Sequence, residues 1–186
     1  MRGARPARPR WLQVGRRTLP IVLGLLDGIT NALGLTSGSL LHGGGGVTLG
    51  LSVRVASFAL ATALIAIFGA RYVELRIGLI RASKQLNLLK RGALATTRLG
   101  RAARWNAMMD AVHGSVASFL GAGLPLFIAA MLPAVTWLSL VVAVAMLALL
   151  GALIARQING SALLWAGGLA AAGIILIGVG AELNIA

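Results

Sequence analysis

Cysteine is absent from this 186-residue chain. That excludes disulfides, thiolate metal sites and cysteine nucleophiles. Acids are nearly absent too: only Asp27, Glu74, Asp110 and Glu182 occur, and the histidines are His42 and His113. A carboxylate pair or a Ser/His/Asp set for catalysis has little to draw on, so the chain reads as a non-enzyme with no bound cofactor. Charge of either sign is sparse, at 11% of residues, while 58% are hydrophobic. No soluble domain of this size hides so much apolar surface. Several apolar runs approach or exceed the roughly 18 residues needed to cross a bilayer. The expected fold class is therefore all-α: a polytopic membrane protein with five transmembrane helices and no separate soluble domain.

What is present is basic charge, a net +13. Its distribution argues against nucleic acid as a partner, because Lys and Arg gather in the stretches flanking the apolar segments, the pattern that sets membrane orientation. Residues 1–17 hold six arginines with Pro6 and Pro9, which reads as a disordered basic tail touching anionic lipid headgroups. No small-residue cleavage site follows a short apolar core, so the first apolar segment reads as a retained helix rather than a signal peptide.

The expected helices are residues 18–41, 47–73, 105–132, 134–155 and 161–183. Pro20 suits the first turn of the first helix. Gly24/Gly28 and Gly34/Gly38 are spaced to let another helix approach closely. His42 and Gly43–Gly46 make an uncharged outer turn, Pro133 marks another, and Pro125 predicts a kink in the third helix. Between the second and third helices, Leu75, Leu79, Ala82, Leu86, Leu89 and Ala93 recur at alternating steps of four and three, one helical face. The basic connector 74–104 is thus amphipathic. It either lies on the inner leaflet, against anionic headgroups, or extends the second helix into the cytoplasm. Sixteen of the 17 Lys/Arg fall in or beside the tail, this connector and the turn between the fourth and fifth helices. With five helices these lie on one side, so the N-terminus is expected in the cytoplasm and the C-terminus outside. The exception is Arg54, which either snorkels outward or leans toward a buried acid. The cell's inner (plasma) membrane is the expected location.

Asp27 sits inside the first apolar segment. An ionisable side chain at membrane depth is costly and marks a functional site by default. It lies about nine residues from the cytoplasmic end of its helix, so about 13 Å deep, and Asp110 lies about 8 Å deep in the third helix. At such depths the two acids would face one another across the bundle. His113 follows Asp110 by three residues and Met109 by four, spacings that share a helix face. Carboxylate, imidazole and thioether together would suit Mn²⁺ or Fe²⁺, and the carboxylates could carry protons in exchange. Each residue also has a plainer reading. Asp110 would cap its helix or pair with Arg101 or Arg104, His113 would be a satisfied core histidine, Met108 and Met109 would pack, and Asp27 would pair with Arg54 or hydrogen-bond to a neighbouring backbone.

The stretch Leu23-Gly24-Leu25-x-Asp27-Gly28-x-Thr30, with Leu35 and Gly38, resembles the first helix of the vacuolar iron transporter family, which opens on a Gly-Leu-x-Asp-Gly motif. The stretch 118–126, Ser-Phe-Leu-Gly-Ala-Gly-Leu-Pro-Leu, resembles that family's third helix. Residues 147–156 resemble the end of its fourth, and residues 167–172 with Gly178 its fifth. The resemblance implies a homodimer of five-helix subunits exporting Fe²⁺ or Mn²⁺ from the cytosol by proton antiport, with Asp27 on the ion path. Asp110, His113 and Met109 would complete the metal site. Two departures stand out. The family's second helix carries a glutamate and a methionine on the ion path, where this chain has apolar residues, roughly Ala59 and Ile67. The acidic cytoplasmic insertion of its familiar members is here short and basic, a surface that repels divalent cations. The alternative is a non-transporting membrane scaffold that keeps the fold and has lost the site.

Overall fold

We analysed a computed structural model of the chain, which describes residues 10–41, 47–85, 97–132 and 137–182. Five helices follow in order: α1 (Arg10–Leu41), α2 (Leu49–Gln85), α3 (Arg98–Met131), α4 (Trp137–Gln157) and α5 (Ala162–Glu182). All five are long and apolar enough to cross a membrane. The outer turns expected at His42–Gly46 and Pro133 lie outside the described residues, as do residues 1–9 of the basic tail.

Three boundaries differ from expectation. Helix α1 begins at Arg10, so part of the stretch expected to be a disordered tail is helical. Pro20 therefore sits in the helix interior, not its first turn. The connector is largely helix: α2 continues to Gln85 and α3 starts at Arg98, with the Thr97 hydroxyl capping it through the Leu99 N–H. The part of the amphipathic stretch with Leu75, Leu79 and Ala82 thus prolongs α2, while Leu86, Leu89 and Ala93 lie outside the described residues. At the same end of the bundle, α4 stops because Asn159 adopts a left-handed φ of 52°. The Gly160 N–H then reaches back to the Ala155 carbonyl at 2.8 Å, closing the helix end in a Schellman-type turn.

Helices consecutive in the chain alternate in direction. Residues near the start of α2 meet the end of α3, as in the bond from the Ser52 hydroxyl to the Leu126 carbonyl (3.1 Å), while Arg71 meets Asp110. Pro20 and Gly28 of α1 meet Gly114 and Ser118 of α3 in the same order, so those two helices run parallel. Leu147 of α4 meets Gly173 of α5, and Gly151 meets Trp165, an antiparallel pair.

The α1–α3 crossing is close because glycine lines it. A Cβ on Gly24 would run into the Gly114 carbonyl oxygen, and one on Gly28 into that of Ser118. Between α2 and α3 the core is built of small side chains, Ala56, Ala59, Ala63, Ala111 and Ala122, with Ile67 as the one large member. Backbones that approach this closely gain dispersion contacts, which drive helix association where lipid is as apolar as the helix faces. Larger side chains, Ile29, Leu33 and Leu147, fill the space between α1 and α4. Outward faces are also apolar: Ile65 is 74% exposed and Leu163 86%, surfaces compatible with lipid contact.

Candidate functional site

Asp27 lies at the middle of the apolar stretch of α1, which runs from Thr18 to Ser37. Its placement follows from its neighbour. Gly28 must sit against the α3 backbone, and this turns Asp27 toward the adjoining α3 residue, Ser118. The Ser118 hydroxyl donates to Asp27 Oδ2 at 3.0 Å. Ser118 is fully buried, and its hydroxyl also lies 3.2 Å from the Ala59 carbonyl oxygen on α2. One hydroxyl thus sits among three helices. On α1 itself, the Thr30 hydroxyl donates to the Asp27 backbone carbonyl at 2.9 Å. Asp27 is exposed on the surface of the single chain. Among the described residues no Lys or Arg pairs with it. The expected alternative partner Arg54 is exposed and belongs to no described ion pair.

Asp110 is treated differently. Arg71 of α2 donates through Nε to Asp110 Oδ2 at 2.9 Å and through a terminal nitrogen to Glu74 Oε2 at 2.6 Å. Asp110 is therefore ion-paired, as the plainer reading had it, but with a residue of the facing helix rather than Arg101 or Arg104 of its own. Ser118, which marks the level of Asp27, is eight residues further along α3, about 12 Å at the helical rise. The two acids do not face one another at one depth.

His113 and Met109 stand apart as well. Five residues separate His113 from Ser118 and nine separate Met109, which turns them about 140° and about 180° around α3. Both are exposed, and the His113 ring is held by Nδ1 against the Met109 carbonyl oxygen at 2.6 Å. His113 is thus not a core histidine. Among the described residues no three His, Asp or Glu side chains gather into a metal-binding group. Spacing along α3 showed that Asp110, His113 and Met109 are mutual neighbours. It could not show which side of α3 faces α1, and that is set by Gly114 and Ser118.

No known protein family, curated protein sequence or solved structure matches the chain. The site must be judged on its own residues. Sequence reasoning missed two members. Ser118 stands within the 118–126 stretch without a chemical signature of its own, although a hydroxyl one helical turn from Gly114, on a stripe of small residues, is the group that a close crossing brings to Asp27. Ala59 contributes only its backbone oxygen, which no side-chain pattern could reveal. Ala59 and Ile67, the apolar residues where the resemblance implies ligands, both face the seam: the Ile67 side chain packs against Gly114.

Proposed function

We propose that the chain is a transporter that moves a divalent metal ion, Fe²⁺ or Mn²⁺, out of the cytosol in exchange for protons. One observation carries this reading: a carboxylate at the centre of an apolar span has a hydroxyl as its described partner and no described cation. A structural acid in such surroundings is neutralised by Arg or Lys, as Asp110 is by Arg71, because an uncompensated charge at membrane depth is costly. Asp27 must be neutralised by something that arrives, either a proton or a metal cation. Alternation between those two is the chemistry of antiport. Carboxylate and hydroxyl oxygens suit a hard divalent ion such as Mn²⁺.

A single chain supplies one such carboxylate and leaves it exposed at its surface. A second copy laid against this face would bury both and bring a second negative charge to a doubly charged ion, so the working unit is a homodimer. Asp110, fixed by Arg71, stands at the cytosolic entrance rather than among the ligands. The basic residues of the tail and of the α2 and α3 extensions sit against anionic headgroups of the inner (plasma) membrane.

The absence of a three-residue metal group among the described residues favours the second reading, a membrane scaffold that has lost its ion site. Reconstitution separates the two. Wild-type protein in proteoliposomes is expected to show Mn²⁺- or Fe²⁺-dependent proton flux. Asp27→Asn is expected to abolish that flux while light scattering still reports a dimer. Wild-type vesicles with no metal flux would sink the transport reading, and a monomeric wild type would sink the shared site.

A further inference from the structure

The outward side of α1 carries four exposed residues at steps of four: Leu19, Leu23, Asp27 and Asn31. Such a row is the ridge that one helix packs into the groove of another. The other sides of α1 are occupied: Gly24 and Gly28 press on α3, and Ile29 and Leu33 pack against α4. Two members of the exposed ridge are polar, and both lie inside the apolar stretch Thr18–Ser37. Asn31 stands one turn beyond Asp27, about 6 Å nearer the outer end of the bundle. Its amide has two N–H donors and a carbonyl acceptor. Among the described residues no hydrogen bond engages them. An amide left facing hydrocarbon is costly, and between transmembrane helices such side chains hydrogen-bond across the interface instead.

We propose that Asn31 is the positioning residue of the site: it pairs with Asn31 of a second copy of this chain and sets the two α1 helices in register, with their Asp27 carboxylates opposite one another one turn deeper. The inference rests on the reading of a homodimer that shares Asp27, and it names the group that aligns the two copies. Copies inserted in the same orientation are related by a two-fold axis along the membrane normal. Each residue of α1 at that axis therefore meets its equivalent at the same depth. Asparagine suits such a self-contact, because the carbonyl oxygen of each side chain accepts from the N–H of the other. A single asparagine paired in this way fixes register and strand number in parallel helix dimers. Aspartate does not suit it, since two carboxylates at one place repel each other. The ridge thus divides its work: Leu19 and Leu23 pack, Asn31 aligns, and Asp27 is left for the ion. Lipid on this face would leave the amide without a partner.

Because the chain has no cysteine, disulfide cross-linking of single introduced thiols in the full-length protein, in its own membrane, reads this contact without any transport assay. A disulfide forms only when the two Cα atoms come within about 7 Å. On oxidation Asn31→Cys is expected to give a covalent dimer of twice the chain mass. Leu149→Cys, at a position on α4 that is 62% exposed, is expected to stay single. Asn31→Leu should raise the dimer dissociation constant in lipid about tenfold, the effect of losing interhelical hydrogen bonds. Asn31→Gln, which keeps the amide, should recover most of that loss. Failure of Asn31→Cys to link to its own copy overturns the proposal, and so does linking of Leu149→Cys to the same extent. A leucine variant that dimerises as tightly as wild type overturns it too. So does a glutamine variant no better than leucine, which would make Asn31 a matter of shape alone. Zero metal flux in wild-type vesicles alongside the Asn31→Cys dimer would instead count against transport and leave the pairing standing.

Discussion

Three acids fall within the described helices near polar partners, and their surroundings assign them different work. Asp27 meets a hydroxyl, Asp110 a guanidinium, and Glu74 shares that guanidinium from the surface. The Arg71 side chain is 12% exposed, Asp110 20% and Glu74 64%. An exposed pair is worth about 0–1 kcal/mol. Removing the partner of a largely buried charge costs about 1–3 kcal/mol, since the remaining group keeps its desolvation penalty. Asp110→Asn should therefore lower the thermal midpoint in detergent clearly more than Glu74→Gln does. Equal shifts would show that the Arg71–Asp110 bond contributes no more than a surface pair. At this scale the sequence made Asp27 legible, because one charge in an apolar run needs no partner to be noticed. It did not reveal the Arg71 pair, since Arg71 and Asp110 are 39 residues apart and only the α2–α3 register brings them together.

Helices and their seams were legible in kind, with their ends displaced. Apolar length fixed five elements, but the basic, amphipathic stretch after Val73 was as consistent with a surface helix as with a longer α2. What decides it is a partner: α3 begins seven residues earlier than expected, and Gly100 and Ala103 of α3 and Ser83 of α2 are buried in these extensions. The glycine pairs were legible as close-approach signals, yet nothing in their spacing says which glycine a neighbouring helix presses on. Gly24 and Gly28 press on the α3 backbone, while Gly34 has nothing within 4 Å of an added Cβ. Gly28→Ala must force α1 and α3 apart, an overpacking cost of about 1–3 kcal/mol. Gly34→Ala places alanine in open space and should stabilise the helix by up to about 1 kcal/mol, the difference in helix propensity. Thermal unfolding of the two variants should move in opposite directions. A Gly28→Ala protein as stable as wild type would mean that the α1–α3 crossing yields freely. The same variant should also lengthen the Ser118–Asp27 bond, so its effect reaches the site through the seam.

For the molecule as a whole, alternating helix direction and one-sided charge make a joint statement. The Arg71–Asp110 pair, the bond between the Thr18 hydroxyl and Gln157 (3.1 Å), and the start of α5 lie at one end of the bundle, and Thr48 and Leu132 lie at the other. The first end continues into the α2 and α3 extensions with Arg76, Arg81, Lys84, Arg98, Arg101 and Arg104, all exposed. Translocating that many cations is strongly disfavoured, so this end should stay in the cytoplasm. The absence of cysteine makes the point directly testable with single introduced thiols. Gly78 on the α2 extension has open space around it, and Thr48 is exposed beyond the opposite end of the bundle. In intact cells a membrane-impermeant maleimide should label Thr48→Cys and spare Gly78→Cys until the membrane is opened. The reverse pattern would put the basic extensions outside. Asp110 and Arg71 would then face outward, and the proposed metal exchange at Asp27 would run into the cell rather than out of it.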